Sequence, residues 1–121
     1  MRYMCLVHFE PSKLAGLPLA ARQDIDRRSL GYDEELRQQG HYIASDAIET
    51  GDSAVLVRVR NGQVSTTDGP FIETKEQMAG FILIEARDMN EAVRLAAGIP
   101  IAELGTIEVR PVFLIPTPPP V

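Results

Sequence analysis

Ala79-Gly80-Phe81-Ile82-Leu83-Ile84-Glu85-Ala86, followed at once by Arg87-Asp88-Met89-Asn90-Glu91, is the stretch on which the fold turns. A short, nearly continuous apolar run of this length predicts a strand with both faces covered. Asp88 stands three positions before Glu91, the spacing of a capping box, in which a side-chain oxygen accepts an orphan amide of the first helical turn. A helix is therefore expected from Met89, with Met89, Ala92, Val93 and Ala96 sharing a face and Gly98 and Pro100 closing it. Thr106 to Ile115 then gives a strand with Ile107, Val109 and Phe113 on one parity and Glu108 and Arg110 on the other. Pro111 cannot donate to a ladder, which assigns that strand an edge or a bulge.

The same order, strand then helix then strand, recurs upstream. Arg2 to Phe9 alternates Tyr3, Cys5, Val7 and Phe9 against Arg2, Met4, Leu6 and His8, a strand with at least one apolar face. Leu19 to Gln39 is rich in helix formers and places Ile25, Ser29, Tyr32 and Leu36 on one side, with Gly40 as its stop. His41 to Ile48 reads as the second strand. Between the halves, Val55, Val57 and Val59 alternate with Leu56, Arg58 and Arg60, Asn61-Gly62 supplies the positive φ of a tight turn, and Val64 to Thr67 returns.

The whole is an α+β chain: a ferredoxin-like split βαβ arrangement with an inserted hairpin, two helices covering one face of an antiparallel sheet. Residues 1–115 form one domain, and Pro116 to Val121 is a proline-rich tail suited to an extended polyproline arm. The uncovered sheet face also needs a cover, and in so small a chain a second copy is the simplest one; a homodimer with sheets face to face is expected.

Composition narrows the function. The 121 residues carry 12 Lys and Arg against 17 Asp and Glu, a formal charge of −5, which argues against direct nucleic-acid binding or attraction to an anionic membrane. Cys5 is the only cysteine, so there is no intrachain disulfide framework and no multi-cysteine metal site. A cytoplasmic location is expected, with no signal peptide in the opening stretch and no membrane-crossing segment. No Walker loop, GxGxxG, HExxH or GxSxG occurs, and neither a cofactor nor a metal is expected.

The densest polar stretch is Thr66-Thr67-Asp68-Gly69-Pro70-Phe71-Ile72-Glu73-Thr74-Lys75-Glu76-Gln77. Gly69 can take backbone angles closed to other residues, Pro70 fixes the next φ, and Phe71 can anchor the loop in the core, so Asp68 would be held in one place. Thr74 and Gln77 have the spacing of a cap on a short helical turn. Two readings stand together. In one, Asp68 accepts backbone hydrogen bonds in an Asx turn while Glu73 pairs with Lys75 or caps a turn. In the other, Asp68 and Glu73 line a pocket, where they orient a polar ligand or exchange a proton.

His8 and His41 are the only histidines; His8, at a strand end, is a catalytic candidate alongside Asp68. Ser29 has no nearby histidine to activate it, Arg58, Arg60 and Arg110 read as solvated strand-face cations, and Cys5 reads as a core residue.

Asp68-Gly69-Pro70-Phe71 with Glu73-Thr74-Lys75-Glu76-Gln77 resembles the signature of the DGPF branch of the YCII-related proteins. Met1-Arg2-Tyr3-Met4, Glu91-Ala92, Gly105 and Glu108-Val109-Arg110-Pro111 resemble the same branch, so the likeness spans nearly the whole chain. It implies a ferredoxin-like subunit in a dimeric α/β barrel with clefts near the interface. It also implies small-molecule chemistry that, in some members, uses a histidine on the first helix and an aspartate in an Asp-Pro pair. Here Ser29 stands at the histidine position and Ile99-Pro100 at the Asp-Pro position, so that mechanism does not carry over. What carries over is Asp68 and Glu73 as pocket residues, with Phe71 beside them and Lys75 as an anion partner. The ligand is expected to be a small polar metabolite. The likeness of the branch to domains beside alternative sigma factors leaves a second reading, a non-catalytic module with a regulatory protein partner.

Overall fold

A computed structural model describes residues 1–121. The elements run β1 (Arg2–Phe9), α1 (Pro11–Ala15), α2 (Leu19–Gln38), β2 (Tyr42–Ala47), β3 (Val55–Arg60), β4 (Gln63–Asp68), β5 (Gln77–Glu85), α3 (Met89–Ala96) and β6 (Thr106–Pro111). The main sheet has the order β2-β5-β1-β6, and all its pairings are antiparallel. Each strand-helix-strand unit thus places a strand of the other unit between its own two, which is the split βαβ topology. The inserted hairpin, β3 with β4, forms a separate two-stranded sheet turned by Asn61 and Gly62, both at positive φ.

Register decides which side chains meet the helices. Tyr3 lies opposite Ile84 and Cys5 opposite Ile82, and all four are buried with Ile25 and Leu36 of α2 and Ala92, Leu95 and Ala96 of α3. The buried stripe of α3 is therefore Ala92, Leu95 and Ala96, while Met89 and Val93 are exposed. The capping box sets the helix start: the Glu91 amide donates to Asp88 Oδ1 at 2.9 Å, and the Arg87 amide donates to Glu91 Oε1 at 2.9 Å.

The opposite parity, Met4 against Leu83 and Leu6 against Phe81, forms the other face of the sheet, where no helix lies and these residues are half-buried. The expectation of a β5 covered on both faces holds on one side only within a single chain. Three local expectations also change. β6 ends at Pro111 because it has reached the start of β1: the Val112 amide makes one more bond, to the Arg2 carbonyl at 2.9 Å, and Phe113, Leu114 and Ile115 beyond it are exposed. No helical turn forms at Thr74: its hydroxyl donates to the Glu76 carbonyl, and Gln77 enters β5 directly. Phe71 is not a core anchor, since it is 77% exposed.

No helix is long and apolar enough to cross a membrane.

Candidate functional site

The β1–β6 register builds a polar cluster that sequence spacing hides. His8 lies opposite Thr106, and Glu108 sits opposite Leu6, two residues along on the same face. His8 Nε2 lies 3.0 Å from Glu108 Oε1, across 100 residues of chain. An ionised carboxylate only accepts, so Nε2 carries the proton and, in the neutral ring, Nδ1 is left as the basic nitrogen. Glu108 is held on its other side by Arg110, whose Nε donates to Oε2 at 2.7 Å. The Arg110 hydrogen bond, and then the His8 contact, hold the Glu108 carboxyl below the ordinary glutamate range. Thr106 Oγ1 donates to Glu76 Oε1 at 2.8 Å, which ties the loop before β5 to the same strand end.

His8 lines a cleft of about 850 Å³ between the β2–β3 connection and the loop that follows β4, with Ile48, Phe71, Thr74, Glu76 and Met78 among its walls. Gly51 closes one side because its amide donates to Gln77 Oε1 at 2.9 Å, and a side chain at this position would collide with Pro70. Exposed Phe71, Ile72 and Met78 give the cleft apolar surface beside the polar groups of His8, Thr74 and Glu76.

Asp68, Glu73 and Lys75 line an adjoining depression of about 660 Å³ with Asp52. It shares Pro70, Thr74 and Gln77 with the His8 cleft, so the expected site residues divide into two neighbouring groups: His8 with Phe71, and Asp68 with Glu73 and Lys75. Gly69, at φ 106°, sends its amide to the Ala54 carbonyl at 2.8 Å, not to the Asp68 side chain. None of Asp68, Glu73 and Lys75 joins the chain's ion pairs, which are made by other residues.

A third cavity, of about 690 Å³, lies between α2 and the sheet. Ser29, Ile99 and Pro100 all line it, so the positions matched to the histidine and Asp-Pro pair do converge in space while lacking the groups themselves. Asp33, which sequence reasoning passed over within the acidic run Asp33-Glu34-Glu35, lines the same cavity. Burial raises its carboxyl above the ordinary aspartate range, against the lowering effects of the Ser45 hydrogen bond and Arg37.

The remaining candidates have structural roles. His41 Nδ1 sits 2.8 Å from the Glu85 carbonyl, and Tyr32 donates its hydroxyl to the Leu95 carbonyl at 2.6 Å. Cys5 is fully buried, and desolvation pushes its thiol up to about 11. No group of three His, Cys, Asp or Glu side chains is placed to hold a metal ion.

Fold and clefts together define a two-layer α+β domain with its accessible polar groups at the strand ends. The chain belongs to the YCII-related family, whose domain model matches residues 1–116. It is 41% identical over 64 residues to an uncharacterized protein of Rhizobium meliloti, a match spanning 51% of this chain and 52% of that protein, about half the length of each. Among solved structures it is similar to the 5-chloro-2-hydroxyhydroquinone dehydrochlorinase of Burkholderia phenoliruptrix in complex with 2,5-dihydroxybenzoquinone. The TM-score is 0.56 at 16% identity, covering 93% of this chain and 94% of that one. That likeness bears on the fold.

Proposed function

We propose that the chain binds a small polar ring compound in the cleft beside His8, as a homodimer whose subunits cover each other's open sheet face. The observation that carries the reading is His8 itself: a histidine fixed by Glu108 lines a cleft that also displays an exposed Phe71. A ring held in such a cleft can stack on Phe71 and present a hydroxyl or carbonyl to the imidazole. The volume, about 850 Å³, falls within the usual range for small-molecule sites. Asp68, Glu73 and Lys75 serve as a polar annex beyond Pro70 that takes the ligand's outer substituents. The printed ligand of the similar dehydrochlorinase, 2,5-dihydroxybenzoquinone, is a sensible first probe of this class.

The dimer is supported by the half-buried Met4, Leu6, Phe81 and Leu83 on a face without helices, and by the small core. Only 14 of 121 residues are buried within one chain, although 45% of the sequence is hydrophobic, so further cover is needed. The His8 cleft opens at the end of that face, which supports a position near the boundary of the proposed dimer.

Thermal-shift titration with 2,5-dihydroxybenzoquinone and related hydroxylated rings tests the site. Saturable stabilisation that is lost in His8→Ala and weakened in Phe71→Ala is expected. Stabilisation that persists unchanged in both variants, or none with any member of the class, refutes it. Light-scattering mass at micromolar protein tests the dimer, and the mass of a single chain would sink it.

A further inference from the structure

The cavity between α2 and the sheet has chemistry opposite to that of the His8 cleft. Its walls are mainly apolar, with Ile25, Leu30 and Ile101 among them, and no lysine, arginine or histidine lines it. Asp26, Asp33 and Asp46 are its charged residues, but Asp26 and Asp46 are exposed whereas Asp33 is half-buried. Ser45 Oγ donates to Asp33 Oδ2 at 3.2 Å, and the Tyr42 hydroxyl lies 2.8 Å from Ser45 Oγ. Since the single serine proton goes to Asp33, Tyr42 donates to Ser45, and the chain of hydrogen bonds runs from β2 into the carboxylate of α2. It engages one oxygen and fixes the carboxylate's orientation.

We propose that this cavity binds an organic cation, an amine carried on an apolar body, with the Asp33 carboxylate as its counter-ion. A half-buried carboxylate with one hydroxyl donor is under-solvated, and an ammonium group supplies both the missing charge and the missing donors. Arg37, the cation nearest in electrostatic effect, is committed elsewhere: its guanidinium lies 4.3 Å from the Tyr42 ring centroid and pairs with Glu34. Ser29, on the same helix one turn before Asp33, lines the cavity with a small side chain and leaves room there. The apolar walls accept the body of the ligand, and the absence of lining cations disfavours an anionic one. This inference is independent of the His8 reading, because the two cavities have Ile48 alone in common.

The test uses three probes sharing one body: 2-phenylethylamine, 2-phenylethanol and phenylacetate, titrated into isotope-labelled full-length protein and followed by amide chemical shifts. The amine is expected to give saturable shifts at residues around Asp33, Ser45 and Ile101. It should bind at least about tenfold more tightly than the alcohol or the acid, the scale of one charge-assisted hydrogen bond. Asp33→Asn keeps the shape and the Ser45 bond and should weaken the amine by about the same factor while leaving the alcohol unchanged. Shifts confined to residues 74–78, equal binding of amine and alcohol, undiminished amine binding by Asp33→Asn, or no saturable shift with the amine each overturn the proposal. Apart from the first, which would put the amine in the cleft beside His8, none of these outcomes bears on binding of hydroxylated rings there.

Discussion

Two glycine-to-alanine substitutions should move stability in opposite directions for reasons that lie wholly in their surroundings. At Gly105 an added Cβ would run into the His8 carbonyl oxygen and lie 2.9 Å from Phe9 Cβ and 3.1 Å from the His8 carbonyl carbon. Two of these atoms belong to the backbone of β1, and the amide of Gly105 is itself held by the Ile101 carbonyl at 2.8 Å, so neither side yields easily. Gly105 is not among the glycines at positive φ, hence alanine there meets no intrinsic backbone barrier and the cost is one of contact. Overpacking of this kind costs about 1–3 kcal/mol, and with a rigid neighbour the upper half of that range applies. Reduced freedom of the unfolded chain returns about 0.4–1 kcal/mol, so the net loss is about 1–2.5 kcal/mol. For a chain of this size each kcal/mol is roughly 3–5 °C in Tm. At Gly31, inside α2, an added Cβ has nothing within 4 Å, and the same substitution should stabilise by about 0.5–1 kcal/mol. Urea unfolding by linear extrapolation, at one fixed protein concentration because a dimer's stability varies with it, measures both. Equal changes in the two variants, or a Gly105→Ala protein as stable as the parent, would show that the close approach of β6 to β1 is not real. Since that approach also sets Thr106 opposite His8, Gly105→Ala should weaken ring-compound binding as well.

Asp88→Ala should cost about 1 kcal/mol by removing the cap on the Glu91 amide, read by urea unfolding, and Asp88→Asn should restore most of it. Because burial raises the Cys5 thiol to about 11 from an ordinary 9.0, the unfolded chain releases that proton first. The stability this provides is complete below pH 9 and is lost as pH rises toward 11, so the parent should decline more steeply than Cys5→Ala over that window; parallel slopes would refute the shift. Glu108 has the opposite sign: its lowered carboxyl contributes stability above the ordinary glutamate range that is lost on acidification, and Glu108→Gln should flatten that part of the acid limb of the stability profile. Asp68→Asn should leave urea stability within about 0.5 kcal/mol, as expected for an exposed side chain, and weaken ring-compound binding less than His8→Ala does.

What was legible in the sequence was whatever neighbours along the chain decide. The apolar run of β5, the Asp88–Glu91 box and the Asn61-Gly62 turn all emerged because amide capping and positive φ are local demands. The stripe on α3 was displaced, to Ala92, Leu95 and Ala96, since periodicity defines a band of apolar positions while the docking surface of the sheet chooses which edge of the band goes inward. Phe71 was misplaced for a related reason: an aromatic after Gly-Pro reads as an anchor, yet within one chain nothing covers it.

The sites depended on tertiary structure far more than the fold did. Sequence alone determined the order of the strands and of the helices α2 and α3, though not the short α1, together with the acidic balance and the polar loop around Asp68, because these follow from composition, periodicity and turn chemistry. Only the folded chain decided that His8 would meet Glu108, that Asp68 and His8 would face adjoining hollows, and that Asp33, which no local pattern singles out, would be partly desolvated against Ser45. Strand register and helix docking set those distances, and both are settled by the packing of apolar faces, to which the polar side chains that line the cavities contribute almost nothing.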